Sequence, residues 1–143
     1  MSAMITPEQF NQIGDLIWEA QGLHLRGKSA GAIKRYHEAL ALLGDAATES
    51  VDATTIYFNI GEIYWLRRDV GQALEYFRKA VHNKGGLGIA VLHLRLGQIR
   101  YEQGELAKAQ DELMRAYLGA GAAVFADEDP KYYALIQPHI ERT

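Results

Sequence analysis

The 143 residues suffice for one domain or one short array, and a composition of 48% hydrophobic and 23% charged residues is ordinary for a globular chain. A formal charge of -3, from 15 Lys and Arg against 18 Asp and Glu, argues against general nucleic-acid binding, which calls for a basic excess. With no cysteine, disulfide scaffolds, thiolate zinc sites and cysteine nucleophiles are excluded.

The first element is a helix that starts at Thr6-Pro7-Glu8-Gln9, an N-cap, a first-turn proline and a capping-box glutamine, and runs to about Arg26. The opening residues carry neither the basic nor the apolar region of a signal peptide, and no apolar run approaches a membrane span, so the expected location is cytoplasmic. Prolines stand only at 7, 130 and 138. Between them, apolar residues recur at three-and-four spacing, as in Ile60, Ile63, Tyr64 and Leu66, or Leu92, Leu96 and Ile99. No long segment alternates with period two, so the chain reads as all-α.

Self-similarity organises these helices. Ala20, Ala32, Tyr36 and Ala39 repeat as Gly61, Ala73, Phe77 and Ala80, and again as Gly97, Ala109, Leu113 and Ala116. The offsets are 41 and 36 residues. Gly44, Gly85 and Gly121 follow each set at the same distance, where a left-handed residue ends a helix. Gly97 lies inside a helix, where glycine costs roughly 1 kcal/mol relative to alanine. The expectation is that two helices cross closely there, with no room for a side chain.

This pattern resembles the tetratricopeptide repeat, a helix-turn-helix unit of W-x2-L-G-x2-Y…A-x3-F…P form. The second unit carries it best, with Tyr57, Ile60, Gly61, Tyr64, Ala73, Phe77 and Ala80 at the landmark positions. In the third, His93 and Arg100 replace two aromatics; in the first, Glu19 and Ala20 replace Leu-Gly. The resemblance implies a single domain, 1–143, of three tandem hairpins at about 13–44, 54–85 and 90–121 in a short right-handed solenoid. A helix start at 6–12 precedes them, and a cap at about 122–143 follows. In that cap, Asp129 and Pro130 start a helix, Pro138 kinks or ends it, and Tyr133, Leu135, Ile136 and Ile140 cover the third repeat.

Chemistry is sparse. His24, His37, His82, His93 and His139 form no metal motif, and the serines no nucleophile elbow. "KGGLG" at 84–88 lacks the P-loop Lys-Ser/Thr and reads as a turn. Asp127, Glu128 and Asp129 read as a helix cap before they read as a metal cluster. No catalytic residue, metal or cofactor is expected, and the chain reads as a non-enzyme.

By the resemblance, the first helix of each repeat lines a concave groove for a peptide or partner helix. That places Ile17, Gln21 and His24 there, then Phe58, Asn59, Glu62 and Trp65, then Leu94, Arg95, Gln98 and Tyr101. His24, Trp65 and Tyr101 are equivalent and would form a stripe of rings; packing between neighbouring hairpins is an equal alternative for Trp65 and Tyr101. The carboxylate clamp of some heat-shock co-chaperones is not matched: Asn59 and Arg95 stand at two of its positions, but Ile17, Gln21 and Val91 occupy the others. The "HLRLGQ" helix, "AQDELMRAY" and "EDPKY" resemble small bacterial tetratricopeptide proteins of the toxin-immunity type. The resemblance implies another protein as partner, a toxin domain or a peptide segment, and neither nucleic acid nor membrane. A secretion chaperone or scaffold holding a peptide in the groove is the alternative.

Overall fold

The computed structural model describes residues 4–140. Among them are seven α-helices and no strand: α1 (Pro7–Leu25), α2 (Ser29–Leu43), α3 (Val51–Leu66), α4 (Val70–His82), α5 (Ala90–Glu102), α6 (Leu106–Ala120) and α7 (Pro130–Ile140). Short 3-10 turns occupy Gly44–Glu49, Gly86–Gly88 and Ala122–Phe125. None of the described helices is long and apolar enough to cross a membrane. The chain divides into two compact units, between Lys84 and Gly85. The first and last three residues of the expected domain and cap lie outside the described residues.

The helix starts follow from local chemistry. At α1, Thr6 Oγ1 accepts from Gln9 N–H at 3.1 Å, and Thr6 N–H donates to Gln9 Oε1 at 3.0 Å, a complete capping box. Ser50 caps α3 by accepting from Ala53 N–H, and Asp69 caps α4 by accepting from Gln72 N–H. Asp129 Oδ1 accepts from Lys131 N–H at 3.0 Å at the start of α7. Pro138 does not end α7, since the helix continues to Ile140. It stands in the last turn, where the lost N–H removes a single bond.

Each pair, α1 with α2, α3 with α4 and α5 with α6, forms a tight hairpin. The three turns between paired helices share one geometry. Lys28 N–H donates to Leu23 O at 2.8 Å, Asp69 N–H to Tyr64 O at 2.9 Å, and Glu105 N–H to Arg100 O at 2.9 Å. These are Schellman bonds, and the residue before each donor has positive φ: Gly27 at 76°, Arg68 at 62° and Gly104 at 80°. The glycines that follow each hairpin behave less uniformly than expected. Gly85 is left-handed helical, but Gly44 (φ 52, ψ -129) and Gly121 (φ 73, ψ -171) adopt a more extended positive-φ conformation that turns the chain into a 3-10 segment.

Small residues sit where the helices cross. Ala20 is fully buried, and so are its counterparts Gly61 and Gly97. A Cβ at Gly61 would stand 2.5 Å from Phe77 Cε1, and one at Gly97 would stand 2.6 Å from Leu113 Cδ2 and 3.2 Å from the Leu113 backbone nitrogen. Close approach is therefore what the two mid-helix glycines allow.

In the N-terminal unit the core joins Ile13, Ala20, Tyr36, Ile56, Ile60 and Ile63. A polar lock closes it. The Asn83 amide donates to Ala47 O, Ser50 O and Thr54 Oγ1 at 2.7–3.1 Å, and Thr54 Oγ1 donates to Lys84 O at 2.7 Å. In the C-terminal unit, Leu94, Leu113, Ala116, Phe125, Tyr132 and Ile136 form the core, with Tyr133, Leu135 and Ile140 packed against it.

Candidate functional site

The eleven residues expected to bind a partner all lie on the first helix of a hairpin, three on α1, four on α3 and four on α5. Their surroundings differ. On α1, Gln21 is exposed, while Ile17 and His24 are half-buried. Ile17 packs against the N-terminal core, and His24 Nδ1 is buried without a hydrogen-bond partner among the described residues. On α3, Phe58, Asn59, Glu62 and Trp65 are half-buried. The Phe58 ring lies 6.0 Å from that of Phe77. Asn59 hydrogen-bonds the Tyr36 side chain; burial pushes the Tyr36 hydroxyl above its ordinary pKa, and this bond partly offsets the rise.

On α5 the side chains turn to their own unit. Leu94 and Gln98 are buried, each 2% exposed, which removes them from any free surface. Leu94 belongs to the core with Phe125 and Tyr132. The Gln98 amide donates to Glu128 Oε1 at 3.0 Å, and Arg95 pairs with the same carboxylate oxygen. Arg95 also donates to Gln98 Oε1 at 3.0 Å. The Tyr101 ring meets Tyr132 edge-on at 5.2 Å, with Lys131 Nζ 5.4 Å from its centroid. Tyr101 thus has ring and cation neighbours within its own unit. Both residues of the partial carboxylate clamp, Asn59 and Arg95, likewise have internal partners.

The acidic run has separate duties. Glu128 takes Arg95 and Gln98, and Asp129 caps α7. Among the described residues no three His, Asp or Glu side chains converge as a metal site. Next to the run, Glu102 accepts from the Tyr132 hydroxyl at 2.7 Å and pairs with Lys131 Nζ at 2.7 Å. Lys131 first, then Tyr132, hold the Glu102 carboxyl below its ordinary pKa. Burial, then the Glu102 bond, push the Tyr132 hydroxyl up.

Sequence reasoning missed three exposed apolar residues on the first helices of the N-terminal unit. Trp18 is 77% exposed, Leu25 85% and Leu66 64%. The repeat offsets contain the signal. Counting back 41 residues from Asn59 gives Trp18, and from Leu66 gives Leu25. Counting on 36 residues from the same positions gives Arg95 and Glu102. One set of three equivalent positions thus reads Trp18, Asn59, Arg95, and another reads Leu25, Leu66, Glu102.

Residues 24–87 match the family model described as Tetratricopeptide repeat. No curated protein matches the chain. The matched span takes in all of α2, α3 and α4. It supports a tetratricopeptide-repeat protein, and such repeats are typically non-catalytic modules that bind other proteins or peptides.

Proposed function

We propose that the chain is an immunity-type protein, acting in the cytoplasm, that binds and neutralises a toxin domain through the first-helix faces of its N-terminal unit. The observation that carries the binding surface is the exposure of Trp18, Leu25 and Leu66 at register positions whose counterparts in the C-terminal unit are polar and internally paired. Bulky apolar side chains left in solvent mark interaction sites, and aromatics dominate the energy of binding hot spots. Gln21, Phe58, Asn59, Glu62 and Trp65 would then frame this patch. The toxin class rests on the resemblance of "HLRLGQ", "AQDELMRAY" and "EDPKY" to immunity-type proteins.

Co-expression with the product of the adjacent reading frame tests it. The expected result is rescue of growth and nanomolar binding to one folded domain. Leu25→Asp combined with Leu66→Asp should leave the helical circular dichroism unchanged and weaken that binding by at least about tenfold. Binding to an extended peptide with no growth phenotype would replace this reading with the chaperone one. Unchanged affinity of the double variant would move the surface elsewhere.

A further inference from the structure

We propose that the chain pairs with a second copy of itself through the exposed face of α1. Phe10, Gly14, Trp18 and Gly22 follow one another at intervals of four, so they form a single row along that helix. Phe10 is 63% exposed and Trp18 77%. The two glycines are unlike Gly61 and Gly97. A Cβ at Gly14 would meet nothing within 4 Å, and one at Gly22 would meet only Arg26 Nη1 at 3.8 Å. Glycine is costly inside a helix, and no described part of this chain uses the space they leave.

The row alternates large, small, large, small. Read in reverse it alternates small, large, small, large. Two copies of α1 crossing in opposite directions therefore place Phe10 of one over Gly22 of the other, and Trp18 over Gly14, with the same contacts repeated across a two-fold axis. Rows of this spacing meet in the commonest class of helix crossing. An isologous contact of this kind closes on itself as a dimer.

The landing place for Phe10 already exists. A cleft of about 300 Å³ is lined by Trp18, Glu19, Gly22, Leu23, Arg26 and Arg35. Arg35 on its rim is already paired with Glu19 at 3.2 Å and Glu38 at 3.0 Å, so the Arg26 guanidinium is the cation that would meet an aromatic face. At these exposures the Trp18 and Phe10 rings offer about 300 Å² per copy, against the roughly 800 Å² per partner of a standard interface. Leu25, 85% exposed, adds to it. The interface is thus well below standard size, and the pairing is expected to be weak. Because Trp18 also belongs to the proposed toxin-binding patch, pairing and partner binding exclude each other, yet pairing is measured on the protein alone and stands or falls separately.

Sedimentation of the full chain between about 5 and 500 µM tests the pairing. The average mass should rise from monomer towards dimer and stop there. Gly22→Leu fills the hole in open space; it should weaken association at least about tenfold without lowering the melting temperature, and Phe10→Ala should weaken it similarly. The chain has two tryptophans, so Trp65→Phe leaves Trp18 as the only reporter, and its emission should shift to shorter wavelength as the dimer forms. A wild-type chain that stays monomeric throughout, open-ended oligomers, a Gly22→Leu chain that pairs like wild type, or a dimer with unshifted Trp18 emission would each overturn the proposal.

Discussion

On α1 in the N-terminal unit, Trp18, Gln21 and Leu25 stand in solvent; at the same register on α5 in the C-terminal unit, Arg95, Gln98 and Glu102 are engaged by Glu128, Lys131 and Tyr132. Both helices are first helices of equivalent hairpins, so backbone geometry does not explain the contrast. The side chains do. Where the chain supplies its own cover, the covered positions are polar and their donors and acceptors are matched. Where cover is missing, two of the three positions are bulky and apolar, a costly choice for solvent and a useful one for an interface. Glycines divide in the same way: Gly61 and Gly97 face a neighbouring helix, Gly14 faces open space.

The largest expected effect tests that division of glycines. Gly97→Ala forces a methyl group against Leu113, whose backbone lies too close to yield. Overpacking of this kind costs typically 1–3 kcal/mol, more than the roughly 1 kcal/mol that alanine gains as a helix former. Gly97→Ala should therefore lower unfolding free energy by up to about 2 kcal/mol in urea titration, whereas Gly14→Ala should raise it by roughly 0.5–1 kcal/mol. Equal signs would mean that the crossing at Gly97 can relax.

Next in size is the cover of α5 itself. Glu128 and Arg95 are 18% and 16% exposed, so solvent screens their pairing only in part. Glu128→Ala removes the acceptor shared by Arg95 and Gln98 and should cost about 2 kcal/mol. Amide exchange in α7 should accelerate while that in α1 and α2 stays unchanged. Loss spread evenly over both units would contradict their separate cores.

The contrast also explains what the sequence made legible. Helix type, the three hairpins and the crossing glycines follow from residue spacing, because size and period act locally and repeat. Thr6, Ser50 and Asp69 cap through bonds that span three residues, so their role is visible in a short window. The state of each candidate side chain was not visible in this way. Leu94 and Gln98 are buried by residues some 30 positions downstream, and only folding brings Phe125, Glu128 and Tyr132 onto them. Trp18 was within reach of the repeat offset but looks like an ordinary core aromatic until its exposure is known.

A pH titration sharpens the comparison further, because a buried histidine belongs to the C-terminal unit. His93, 3% exposed, has Nδ1 2.7 Å from Glu112 Oε2 and Nε2 2.8 Å from Leu87 O. Both neighbours are acceptors, so both contacts are hydrogen bonds only when the ring carries two protons. The Glu112 bond, opposed by burial and supported by Leu87, raises the His93 pKa above its ordinary value of 6.5. The folded ring holds its proton more tightly than the unfolded one. The resulting stability is complete below about pH 6.5 and is lost as pH rises through the raised folded value. Denaturation between about pH 5 and 9 should show that decline, and His93→Gln should flatten it.

The smallest effect concerns the turns, where the two units agree except at one residue. Gly27 and Gly104 hold positive φ in the first and third hairpins, and Arg68 holds it in the second with the same Schellman bond behind it. A side chain in that region costs roughly 1–2 kcal/mol through the contact of Cβ with the carbonyl oxygen. Arg68→Gly removes that contact but adds freedom to the unfolded chain, which offsets part of the gain. Arg68 is exposed and takes part in the turn through its backbone, so nothing else need change. The net expectation is a rise of about 0.5–1 kcal/mol in unfolding free energy with no change in helical content. A fall instead would mean that the guanidinium makes a stabilising contact large enough to outweigh the backbone strain.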